Sequence, residues 1–333
     1  MLTTVATGRV WDHSHVLGMY AQTGQGFYAP VDMALTGEGI AYVACRGGLA
    51  LFARITKIHV DHQFIREIGS QGYGDGQFIW PTGVAVDSDE NVYVTDDFLH
   101  RIAVYDKDGA FLRNIGSEGN GDGQLKAPAG IKVDQNDNLV VADAQNHRVQ
   151  VLDRQGRFIR KWGEYGDSND QLNTPWGLCF DNDGNVLVAD WGNRRVQKFT
   201  ANGGYLATYG GPGTGPGELD RPSGIAVDSD GDIYVTDWNA DTVNIYDPND
   251  GRFITALTGN AREPSPWAKT LIAANPDMIK ARRIADLSEE WGFRRPIAVS
   301  IDSDDRIYVL EEYRHRIQVY DKVKDYTEHA LNA

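Results

Sequence analysis

Nine residues of this chain combine types and positions that could do chemistry. Arg46, Asp97 and Glu312 are charged, Trp176, Trp191, Trp238, Phe98 and Tyr313 are aromatic, and Asp32 is a lone acid among glycines. Each stands one or two residues after a Pro that opens a repeated unit or after the last residue of that unit's second strand. Flat rings with a few charges are what a ligand or partner surface needs, because rings give large contact area at low entropic cost. The alternative is that the rings pack against neighbouring units. Asp32 occupies the place where four other copies have Gly83, Gly130, Gly177 and Gly224. A carboxylate there could hold a hard cation such as calcium together with backbone carbonyls, or it could cap a turn or bind a water.

The repeat decides how these residues are positioned. Pro-x-Gly, a short apolar strand, Asp, an Asp/Asn/Gly turn, a second strand, Asp and a third strand recur from Pro81, Pro128, Pro175 and Pro222 at a constant spacing of 47 residues, and Pro30 and Pro296 open variant copies. Periods of this size mean stacked supersecondary units. The residue 12 after each Pro is Tyr42, Tyr93, Val140, Leu187, Tyr234 and Tyr308, which counts six units. Four short strands per unit make an antiparallel meander, and radial stacking of meanders into a β-propeller protects their edges. The reading is therefore all-β: one six-bladed propeller domain over residues 1–333.

In a meander the start of the first strand and the end of the second lie at the same end. The eight aromatic and charged residues other than Asp32 are thus expected on one face, around the mouth of the central channel, with Asp32 near the channel axis. The sixth unit shows three strands ending near Tyr320, and the polar tail 321–333 offers no fourth. Residues 15–22 read as the missing strand, so the N-terminal strand is expected to close the last blade. Between Pro222 and Pro296 the spacing grows to 74, an excess of 27, and Asn275-Pro276 reads as an N-cap and first helical position. A helical insertion is expected at about 260–295, with its helix over 277–291.

At 128–153, with Asn146-His147-Arg148-Val149 at its centre, the pattern resembles the NHL repeat. That resemblance implies a six-bladed NHL propeller, a fold used for protein binding, RNA binding and some enzymes. The chain also resembles, distantly, the peptidyl-hydroxyglycine amidating lyases, whose zinc is held by histidines placed directly after the blade-opening Pro. Here those places hold Val31, Thr82, Ala129, Trp176, Ser223 and Ile297, so the zinc tripod is missing. What the resemblance still implies is an acid near a channel calcium at Asp32 and a substrate-binding Arg at Arg46. Any enzyme here would be a lyase or hydrolase that does not use that tripod.

Several regular features read as structural. Asp96, Asp143, Asp190 and Asp237 recur in every clean unit, as expected of acids that accept backbone N–H bonds. His100, His147 and His315 sit at one repeat position in separate units. The turns at 87–89, 181–185 and 228–232 look like calcium loops but lack the Glu at loop position 12. A net charge of −15 makes nucleic acid an unfavourable partner. Two cysteines and the absence of a secretory pattern at residues 1–10 point to the cytoplasm and no membrane anchor. The sequence-level conclusion is a ligand-binding propeller for a small or peptide-like molecule. The alternative is a non-catalytic interaction scaffold.

Overall fold

The computed structural model describes residues 3–6, 8–48 and 51–323. Six antiparallel sheets stand around a central axis, and their first strands touch in a closed ring. These inner strands are Pro30–Leu35, Pro81–Val86, Pro128–Val133, Pro175–Phe180, Pro222–Val227 and Pro296–Ile301. Second strands such as Val92–Asp96, Leu139–Asp143 and Val186–Asp190 are buried along their whole length, because both faces lie between blades. Six clusters of buried apolar side chains result, one in each seam between blades.

The Gly of Pro-x-Gly has a specific task in this ring. A Cβ on Gly130 would come within 2.5 Å of the Trp176 carbonyl oxygen, and one on Gly177 within 2.0 Å of the Ser223 carbonyl oxygen. Inner strands can therefore approach backbone to backbone. At its Pro-x-Gly end the channel they enclose retains a cavity of about 20 Å³, room for roughly one water, and its other end opens into a cavity of about 250 Å³ lined by the last residues of the inner strands.

The N-terminal strand closes the ring, as expected, but its bounds differ. The closing strand β2 is Arg9–Leu17, paired antiparallel with Arg316–Val323, and a further strand β1, Thr3–Ala6, adds to its outer edge. Residues 18–22 instead lead into the loop before Pro30. Blade six thus has five strands in the order β1, β2, Arg316–Val323, Arg306–Glu311, Pro296–Ile301. Of the tail expected to be strandless, Asp321 to Val323 extend the third strand, and 324–333 lie outside the described residues.

The insertion contains two helices rather than one, α1 (Pro266–Ala273) and α2 (Pro276–Ile284). Asn275 caps α2 as anticipated, its side chain accepting from the Asp277 and Met278 amides. The helix α1 was not legible because its start signal, Ser265-Pro266, sits in a short run with little polar contrast. Trp267 anchors it, buried in the seam between blades six and one, with its indole N–H donating to the His62 carbonyl at 2.7 Å. No helix among the described residues is long and apolar enough to cross a membrane.

Candidate functional site

The regular acids build the loops on which the site stands. Asp237 accepts the backbone N–H of Asp220 at 2.7 Å and of Arg221 at 3.0 Å, so it ties the end of the second strand to the residue before Pro222. Asp190 does the same for Asn173 at 2.7 Å while also holding Arg195 at 2.9 Å. The histidines serve the neighbouring seam: Nδ1 of His100, His147 and His315 accepts from the N–H of Ala127, Thr174 and Ala29, each one residue before the next blade's Pro. Both series are structural, as their repetition indicated. The turn at 228–232 is also closed without metal: the Lys322 ammonium lies 2.6 to 2.9 Å from Asp228, Asp230 and Asp232.

The anticipated site residues gather into two groups at the channel mouth. In the first, Trp176 and Trp191 lie 5.6 Å apart by ring centroids, and Trp191 and Trp238 5.9 Å apart. Glu312 fixes the last ring by accepting its indole N–H at 2.6 Å. Tyr313, 60% exposed, continues the row through Arg295, whose guanidinium lies 4.6 Å over Trp238 and 5.8 Å from Tyr313. All three tryptophans are half-buried, stacked on one another with part of each ring open to solvent.

The second group is smaller. Arg46 reaches Asp97 at 3.4 Å, and Phe98 packs against Trp80 and Tyr73, with centroids at 5.7 and 6.2 Å. Burial pushes the Asp97 carboxyl up to about 6; Arg46 pulls it down and Asp96 adds to the rise. Its Oδ1 makes no hydrogen bond within the described residues.

Asp97→Asn is therefore expected to stabilise the fold at neutral pH. The carboxyl titrates near 3.8 when unfolded and near 6 when folded, so the folded state favours the protonated form. The ionised acid costs stability above pH 6 and nothing below about 4. Allowing for its partial exposure, the gain in Asp97→Asn is about 1–2 kcal/mol at pH 7.5 and vanishes at pH 4. Thermal melts of both proteins across that range check it. A constant difference at all pH values would show that Asp97 is not strained by its charge.

Asp32 lies on the channel wall and accepts the Val84 N–H at 2.9 Å, joining blades one and two where other blades meet through glycine. Burial raises its carboxyl, and Lys132 lowers it. It is the one carboxylate in the channel lining, and among the described residues no group of three or more His, Cys, Asp or Glu is placed to hold a metal.

Sequence reasoning missed Trp80, Arg221 and Arg295 as site residues. Their signal was present one residue earlier than where it was sought, directly before the opening Pro, where other blades carry Ala29, Ala127 and Thr174. Arg221 lies 5.8 Å over the Trp191 ring.

A profile described as NHL repeat matches residues 125–152, 172–199, 219–244 and 293–320, the start of blades three to six. No curated protein matches the chain. Among solved structures, a protein of unknown function from Bacteroides thetaiotaomicron is 19% identical, with a TM-score of 0.64 over 95% of this chain and 76% of that one. Virginiamycin B lyase from Staphylococcus aureus is 14% identical, with a TM-score of 0.58 over 94% of this chain and 100% of that one. A chain of the nidogen/laminin complex is 19% identical, with a TM-score of 0.56 over 76% of this chain and 91% of that one. Identities this low establish the fold and no activity. With the ring closed over six sheets and the repeat matched in four of them, the chain is a six-bladed β-propeller whose blades three to six carry NHL repeats.

Proposed function

We propose that this propeller is a binding module whose ligand lies across the channel mouth, on the row formed by Trp176, Trp191 and Trp238. The row itself carries the reading: three rings in contact, each left partly open, beside a channel with room for about one water. At the end beside the tryptophans the channel is too narrow to engulf a small molecule, which favours an extended, peptide-like ligand lying on the open face. The same fold is seen in a nidogen/laminin complex and in a virginiamycin B lyase with quinupristin, which supports both partner binding and ligand binding as uses of it. The two buried free thiols, Cys45 and Cys179, support a reducing, cytoplasmic setting.

Selection of random peptides on the purified protein tests the reading. Enriched peptides are expected to lose at least about tenfold in affinity on Trp191→Ala or Trp238→Ala, the scale of one buried ring. They should be indifferent to Ile284→Ser, on the exposed surface of α2. Peptides that ignore both tryptophan variants would remove the mouth as the binding face.

A second reading, a lyase or hydrolase on the same face, rests on Asp97. A carboxyl near pH 6 beside a cation can exchange a proton at neutral pH. A channel calcium at Asp32 is a further proposal, in which the remaining oxygens come from inner-strand carbonyls. Calcium titration followed by thermal shift on wild type and Asp32→Ala tests it: stabilisation lost in the variant supports the ion, and indifference of the wild type removes it.

A further inference from the structure

Two guanidinium groups on the tryptophan row are held in place without an ion-pair partner among the described residues. Arg221 lies over Trp191 at 5.8 Å and Arg295 over Trp238 at 4.6 Å. The only side-chain hydrogen bond of Arg221 goes to the Asp220 backbone carbonyl at 3.2 Å. The acids within reach are already engaged. Glu312 takes the Trp238 indole, Asp241 takes Arg294 at 2.8 Å and the Arg295 backbone N–H at 2.6 Å, and Asp220 takes Asn239 and Arg194.

Contact with an indole restricts where a guanidinium sits, more for Arg295 at 4.6 Å than for Arg221 at 5.8 Å, and a guanidinium edge presents parallel N–H donors that match a carboxylate in two bonds. The stacking also removes part of the rotamer entropy that binding would otherwise cost. Between the two cations lie indole rings suited to a flat apolar side chain.

Resting on the assignment of the mouth as the binding face, we propose that its ligand is a peptide segment carrying carboxylates beside an aromatic side chain. A phosphate would fit the same fork. A phosphodiester strand, however, would run onward past Asp97, Asp220, Asp241 and Glu312, on a molecule of net charge −15. The attraction is confined to the two guanidinium groups, which favours isolated carboxylates over a continuous polyanion.

The test compares a short labelled peptide alternating Glu and Phe with its Gln and Phe counterpart and with single-stranded oligouridine, by fluorescence anisotropy on the full chain. The Glu peptide is expected to bind about 10- to 100-fold tighter than the Gln peptide, the range of charge-assisted hydrogen bonds. That margin should shrink with added salt and disappear in Arg221→Gln/Arg295→Gln. The double Lys variant, which keeps charge and loses the fork, should fall between. Neither arginine holds an ion pair, so the variants are expected to melt with the wild type, which a thermal scan verifies.

Equal affinity for both peptides would overturn the inference, as would tighter binding of oligouridine. If that equal affinity still depends on Trp191, the mouth remains the binding face. If neither peptide binds while selected peptides do so independently of Trp191, both proposals fail.

Discussion

Replacing Lys322 by Met is expected to destabilise the protein by about 3–5 kcal/mol, the scale for removing one partner of a buried ion group. The Lys322 side chain is 3% exposed, and its ammonium lies 2.6, 2.8 and 2.9 Å from Asp228, Asp230 and Asp232; the first and last of these acids are fully buried. Methionine keeps the apolar stem and leaves those carboxylates facing one another. The location magnifies the effect, because Lys322 belongs to the strand that meets the N-terminal strand β2. It works beside Arg9, which pairs with Asp232 at 2.6 Å, and Trp11, whose indole donates to the Tyr234 hydroxyl at 2.8 Å. Together these side chains latch the closing blade onto blade five.

The pH dependence of that variant follows from signs. Burial alone would lower the Lys322 ammonium, but Asp228 and its neighbours raise it above its usual 10.5. Its contribution is therefore complete below pH 10.5 and fades only as the pH rises through the higher folded value. In the variant, burial and Asp232 raise the Asp228 carboxyl with the Lys322 charge no longer opposing them, although the Tyr234 hydroxyl still donates to it, so acidification neutralises it and the deficit narrows. Denaturant unfolding of both proteins at several pH values measures this. The control is Lys161→Met, whose partner Asp122 is 51% exposed, with an expected cost under about 1 kcal/mol. A Lys322→Met protein as stable as that control would refute the latch.

Asp190→Ala is expected to couple stability to the binding face. Asp190 is fully buried and accepts from the Asn173 amide, Asn193, Arg195 and Gln197 at 2.7, 2.8, 2.9 and 3.2 Å. Its loss leaves the Arg195 guanidinium without its carboxylate and the Asn173 amide without an acceptor, costing about 3–5 kcal/mol. The turn Trp191–Asn193 begins at the next residue, so the indole of Trp191 loses the anchor that sets its place between Trp176 and Trp238. Rings 5.6 and 5.9 Å apart couple optically, and the variant should lose that circular-dichroism couplet together with peptide affinity. Trp191→Phe should lose the couplet at little cost in stability. A destabilised Asp190→Ala protein that keeps the couplet would show that the acid serves the blade alone.

The sequence by itself determined the propeller, its six blades and the end of the molecule at which the aromatic and charged loop residues gather. A period of 47 residues forces equivalent side chains into equivalent places, and the strand register follows from the Pro and Asp that bound each unit. It also separated structural from exceptional residues: Asp96, Asp143, Asp190 and Asp237 hold loops because blades two to five share the same loop to hold.

What only the tertiary structure decided involves partners from different blades, which no spacing records. The latch brings Arg9 to Asp232 across 223 residues and Lys322 to Asp228 across 94. The tryptophans form a row because consecutive blades turn their loops toward one mouth, and Arg221 and Arg295 join it because each sits one blade along from the ring it covers or on the neighbouring loop. The strain on Asp97 likewise comes from burial, which Arg46 of another blade offsets only in part. Contact order and local desolvation are properties of the closed ring, and they come into being only when β2 closes it.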